Sequence, residues 1–93
     1  MLVTIKPELI EKELIPSLKF KESVNINQDP TIHHQIEQAV RLGNAYHSKV
    51  SITFRDDEGL KRVETTIWAQ GSKFICLKGG VWIPISRIVE IKM

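Results

Sequence analysis

The spacing of apolar and polar positions changes along the chain, and each change marks an element. Pro7 suits a first helical position, where its missing N–H goes unused, and Glu8 and Glu11 then fall in the favourable first turn. Leu9, Ile10 and Leu14 form one apolar stripe and Pro16 ends it, which predicts a short helix. From Leu18 to Asn27 the period becomes two. Leu18, Phe20, Val24 and Ile26 alternate with Lys19, Lys21, Ser23, Asn25 and Asn27, while Glu22 interrupts the apolar row. That pattern predicts a strand or an extended arm.

The next segment returns to helical spacing. Asp29 suits an N-cap and Pro30 the position after it. Ile32, Ile36, Ala39, Val40 and Gly43 trace one face, so a helix is predicted over Pro30–Leu42. Leu42-Gly43-Asn44 reads as its stop, with Gly43 or Asn44 left-handed.

Beyond Ser48 the period is two again. Val50, Ile52 and Phe54 alternate with polar residues, and Asp56-Asp57-Glu58-Gly59 reads as a hairpin loop. Val63, Thr65, Ile67 and Ala69 fall on one face of a second strand; Arg62, Glu64, Thr66 and Trp68 fall on the other. Lys73–Lys78 is a third strand, and Gly79-Gly80 a two-residue turn. Val81–Ile85 is a fourth, placed at an edge by Pro84, which cannot donate to a ladder. Ile85-Ser86-Arg87 reads as a tight turn before a fifth strand, Ile88–Lys92. The prediction is an α+β, mainly β fold: a small, strongly bent five-stranded antiparallel sheet or small barrel, with one or two N-terminal helices packed on it. It forms a single domain over 1–93, with a helical and extended part over 1–47 and the sheet over 48–93.

Two partial resemblances bear on this architecture. Gly79-Gly80-Val81-Trp82-Ile83-Pro84-Ile85-Ser86-Arg87-Ile88-Val89-Glu90-Ile91 resembles the closing segment of SH3-like barrels, in which a strand, one tight helical turn and a short strand complete the barrel. Leu77-Lys78-Gly79 resembles the basic-Gly pair of the second Sm motif. The acidic-aromatic opening of SH3 domains is absent, as are the Asp and Asn of the first Sm motif, so neither proline-peptide binding nor a uridine pocket is implied. The whole chain is similar to short bacterial conserved proteins with no assigned function.

Composition narrows the picture. With 93 residues, 42% hydrophobic and 26% charged, the chain is too apolar for disorder and too polar for a membrane span. A net charge of +2 is no signature of a nucleic-acid or membrane-surface protein. The charge is uneven, however: from Leu60 onward Lys61, Arg62, Lys73, Lys78, Arg87 and Lys92 stand against Glu64 and Glu90 alone. The single cysteine, Cys76, allows no internal disulfide and fits a reducing compartment. No signal peptide is evident at Met1–Pro7, and a cytoplasmic location is expected.

Candidate chemistry is sparse. His33 and Glu37 share a helix face, but His34 points elsewhere and His47 lies beyond the helix, so no set of about four metal ligands forms. Asp56, Asp57 and Glu58 cluster at a hairpin tip, where water keeps carboxylates from acid–base work. Gly79-Gly80 lacks the spacing of a phosphate loop. No catalytic residue, metal or cofactor is predicted.

Trp68 and Trp82 stand out. By alternation both leave the face that holds Val63, Ile67, Val81 and Ile83, and Arg62, Lys73, Lys78 and Arg87 lie close in sequence. Small domains seldom leave two tryptophans bare, so the first expectation is that the Pro30–Leu42 helix covers them. If they remain outside, they suit a protein partner, or RNA or single-stranded DNA, whose bases stack on rings and whose phosphates meet cations. The functional expectation is a small non-catalytic interaction or regulatory module that binds a protein partner or self-associates through a sheet edge. The alternative is nucleic-acid binding through Trp68, Trp82, Arg62, Lys73, Lys78 and Arg87. No membrane contact is expected.

Overall fold

The computed structural model describes residues 6–21, 26 and 28–93. Among these are β1 (Glu8–Leu9), a 3-10 turn (Lys12–Ser17), α1 (Ile32–Tyr46), β2 (Val50–Arg55), β3 (Leu60–Thr65), β4 (Ile67–Gln70), β5 (Phe74–Leu77), β6 (Val81–Pro84), a second 3-10 turn (Ile85–Arg87) and β7 (Ile88–Lys92). The strands form two sheets, ordered β1-β3-β2-β7 and β4-β5-β6. This is α+β and mainly sheet, but it is neither one five-stranded sheet nor a closed barrel.

The departure from five strands has a local cause. The expected second strand breaks at Thr66, where Thr65, Thr66 and Ile67 are buried in succession, a run that period two does not allow. The chain turns a corner there and passes from the first sheet to the second. The Thr66 hydroxyl donates to the His47 carbonyl at 3.3 Å, and the Lys78 amide donates to the Thr66 carbonyl at 2.9 Å. The chain returns to the first sheet through the 3-10 turn at Ile85–Arg87, where a tight turn was expected, and β7 then pairs with β2.

The N-terminal helix does not form. Glu8–Leu9 instead pairs parallel to β3, and the Ile10 amide extends the ladder to the Arg62 carbonyl at 2.9 Å. A helix this short is marginal in water, whereas the edge of β3 offers unpaired backbone groups. The 3-10 turn that follows contains Pro16 and buries Ile15, while Leu9 and Leu14 stay exposed. The start Met1–Ile5, and residues 22–25 and 27 of the expected strand over 18–27, lie outside the described residues. Residues 18–21 belong to no strand. They are tied down by Asp57, whose amide donates to the Lys19 carbonyl and whose Oδ2 accepts from the Lys21 amide, each at 2.9 Å.

Both ends of α1 shift from expectation. Asp29 Oδ1 accepts from the Thr31 amide at 2.8 Å and the Thr31 hydroxyl at 2.7 Å, forming an Asx turn. The helix therefore begins at Ile32. At its other end it runs through Gly43 to Tyr46 and stops at His47, which takes the left-handed conformation (φ 53°) and donates its amide to the Gly43 carbonyl at 2.9 Å. Gly43 serves packing and not termination: a Cβ there would collide with the Ile67 carbonyl oxygen and Thr66 Cγ2.

Isoleucine dominates the interior. Ile32, Ile36 and Ala39 of α1 share one buried cluster with Ile52, Phe54 and Val63 of the first sheet and Ile67, Ile75, Leu77 and Ile83 of the second. Phe20 packs on Phe54, with ring centroids 6.1 Å apart.

Candidate functional site

The second sheet presents two unlike faces because β5 and β6 alternate strictly. Ile75 and Leu77 of β5 and Ile83 of β6 point into the core, which turns Phe74, Cys76 and Trp82 the other way. Antiparallel register sets Cys76 directly opposite Trp82, and Phe74 opposite Pro84. Residues directly opposite point to the same side, so these four form one surface.

In β4, Ile67 pairs with Leu77 and is buried, and Ala69 pairs with Cys76. The register shift between Ile67 and Ala69 leaves Trp68 as the extra residue of a bulge. Trp68 and Ala69 are both exposed, so Ala69 does not share the inner face with Ile67 as alternation predicted. The result is an outer face bearing three aromatic rings, with Trp68 45%, Phe74 45% and Trp82 53% exposed.

The helix does not cover these rings. Its buried residues share the interior with Ile67, Ile75 and Ile83, which places it on the opposite side of the sheet. Gly43 sets the contact by letting α1 approach the β4 backbone. Phe74 joins the site although the sequence analysis names only Trp68 and Trp82 among the rings. It lies in the apolar run Phe74-Ile75-Cys76-Leu77, and period two through that run sets Phe74 and Cys76 together.

The basic residues divide. Lys73 and Lys78 are exposed at the two ends of β5, beside the rings, and neither is in an ion pair among the described residues. Arg62 lies in the first sheet, opposite Thr53, half-buried and with its Nε buried. Arg87 is buried. It pairs with Asp57 at 2.9 Å, donates to the Arg55 carbonyl at 3.0 Å and lies over the Phe20 ring at 5.7 Å. Arg62 and Arg87 therefore do not join the tryptophans.

An open depression of about 470 Å³ adjoins the face and shares Phe74 and Pro84 with it. Gln28, His33, Ser72, Lys73, Ile85 and Ser86 complete its lining. The Gln28 amide donates to the Ile85 and Ile88 carbonyls at 2.8 and 2.9 Å, so it holds the rim in place. Between Glu64 and Glu90 the chain contains no carboxylate, so the three strands and their turns contribute only neutral and cationic groups.

The acidic turn serves the fold. Asp56 is buried, its Oδ1 accepts from the Glu58 and Gly59 amides at 2.9 and 2.8 Å, and Lys61 Nζ lies 3.6 Å from its Oδ2. His33 is exposed and touches Gln70 at 3.4 Å. Among the described residues no three of His, Cys, Asp and Glu gather as metal ligands, and no helix is long and apolar enough to cross a membrane. Asp29 is held below its ordinary value by hydrogen bonds from the Thr31 hydroxyl and amide, and Glu13 by a backbone hydrogen bond and by Lys12.

Fold and surface together define a small α+β domain whose described residues form two sheets, one with a half-exposed aromatic outer face. Comparison with protein-family models, with curated proteins and with solved structures finds no match for this chain.

Proposed function

We propose that this protein is a small non-catalytic interaction module that engages a macromolecule across the outer face of the β4-β5-β6 sheet. The observation that carries the reading is the outward placement of Trp68, Phe74 and Trp82 on one three-stranded sheet, while the interior is filled almost wholly by aliphatic side chains. Large rings half open to water gain most when a partner removes them from it, at roughly 25 cal/mol per Å² of apolar surface. Exposed aromatic clusters of this kind mark recognition surfaces.

Site-specific photocrosslinking tests this. A benzophenone side chain is placed at position 74 or 82, and, as a control, at the exposed Glu64 or Glu90 of the first sheet. The module reading expects discrete crosslinked macromolecules from positions 74 and 82 in cell lysate, and none from the controls. Equal yields from both sheets, or none from either, would overturn it.

A further inference from the structure

We infer that the occupant of this face is a single-stranded nucleic acid, its bases stacking on Trp68, Trp82 and Phe74 and its phosphates meeting Lys73 and Lys78. The inference rests on the interaction-module reading above and names the partner.

Charge is the first argument. Lys73 and Lys78 flank the rings without ion-pair partners among the described residues, and the chain holds no carboxylate between Glu64 and Glu90. On the 3-10 turn packed against β6, Glu13 pairs with Lys12 at 3.1 Å. No carboxylate lines the depression. A second copy of the chain is a poor occupant. A two-fold contact sets a face against itself, and here it would bring lysines against lysines with no carboxylate between them. Protein interfaces also favour Arg over Lys among cations, whereas both cations at these rings are Lys.

Ring geometry is the second. Trp82 stands opposite Cys76, two residues along β5 from Phe74. At ~3.3 Å per residue along the strand and ~4.8 Å between strands, the two positions are about 8 Å apart. That is more than twice the ~3.4 Å rise of a stacked strand. An unstacked single strand can present successive bases at that separation. A duplex keeps its base faces against one another and offers the rings nothing to stack on. The third argument is continuity: beyond Phe74 the surface dips into the depression of about 470 Å³, bordered by Lys73, Ser72, Ser86 and His33. That volume lies in the range of small-molecule sites and can receive one unstacked nucleotide.

Trp68 and Trp82 are the two tryptophans of the chain, so its indole fluorescence reports this face directly. The protein is titrated with a ten-nucleotide oligothymidylate, the corresponding oligouridylate and a ten-base-pair duplex. Both single strands are expected to quench, and the duplex is not. Two phosphate contacts give a log–log salt slope of about −1.4, so affinity should fall roughly sevenfold between 50 and 200 mM salt. Lys73→Ala should halve that slope. Trp68→Ala and Trp82→Ala should each weaken binding at least about fivefold, with melting temperature checked in parallel. Absence of quenching at 50 mM salt, equal quenching by duplex, or a salt-independent affinity would overturn the inference. Protein crosslinks from positions 74 and 82 without oligonucleotide quenching would overturn it while leaving the module reading intact. Failure of the crosslinks to favour this face would remove both.

Discussion

Gly43 on α1 faces the carbonyl oxygen of Ile67 on β4 so closely that a Cβ at position 43 would overlap it. The contact joins the helix to the strand that carries Trp68. Two effects of a Gly43→Ala change oppose each other. Helix propensity favours Ala by about 1 kcal/mol, while the overlap with backbone forces a shift costing about 1–3 kcal/mol. The overlap is with a backbone atom that cannot swing aside, so the expected outcome is net destabilisation in urea denaturation. Asn44→Ala, at an exposed position of the same helix, should instead stabilise by a few tenths of a kcal/mol.

Buried Arg87 and part-buried Asp57 pair at 2.9 Å and tie the second 3-10 turn to the β2–β3 turn. Removing the guanidinium takes charge-assisted hydrogen bonds from the part-buried Asp57 carboxylate, at about 1.5–3 kcal/mol. Arg87→Ala should lower stability by about that amount. Arg87→Lys should fall between, because an ammonium cannot reproduce the fork that reaches both Asp57 and the Arg55 carbonyl. Denaturant midpoints of the three proteins check the order.

Ile83 and Trp82 are adjacent on β6, yet their replacement should have unlike results. Ile83 is fully buried, so Ile83→Ala should cost about 2–5 kcal/mol. Trp82 is half open, and Trp82→Ala should cost under about 1 kcal/mol. A comparable loss for both would mean that the indole is part of the core.

Asp29 gives a pH dependence with a definite sign. The Thr31 hydroxyl, then its amide, holds the carboxyl below its ordinary value in the folded state. Its contribution to stability is complete above the unfolded-state pKa and is lost as pH falls through the folded one. Thr31→Val removes the hydroxyl donor and should move the Asp29 titration upward, toward the ordinary value, in carboxyl-detected NMR. An unchanged midpoint would show that the hydroxyl is not the source.

A single local pattern is enough to decide several elements. The α1 apolar stripe Ile32, Ile36 and Ala39, the Val50–Phe54 alternation, the turn at Asp56–Gly59 and the edge position of Pro84 are all present. The hairpin at Gly79-Gly80 is present with one more loop residue than expected, since Leu77 pairs with Val81. Both glycines there take positive φ, which Gly tolerates without steric cost. At the candidate site, the outward direction of Trp68 and Trp82 followed from period two, whereas Arg62 and Arg87 were grouped with them only by nearness in sequence.

The chain's own periodicities determined which residues alternate, where the helix lies and which side of its strand each indole takes, because side-chain direction is a local property of backbone geometry. Only the tertiary structure decided that Thr66 turns a corner between two sheets, that a bulge carries Ala69 outward with Trp68, that Glu8–Leu9 pairs with β3, and that α1 packs on the inner side and leaves the rings half exposed. Each of these depends on a partner distant in sequence whose backbone must be matched or whose atoms must be cleared. The Ile67 carbonyl against Gly43 and the Asp57 carboxylate against Arg87 are such partners, and no local pattern announces them.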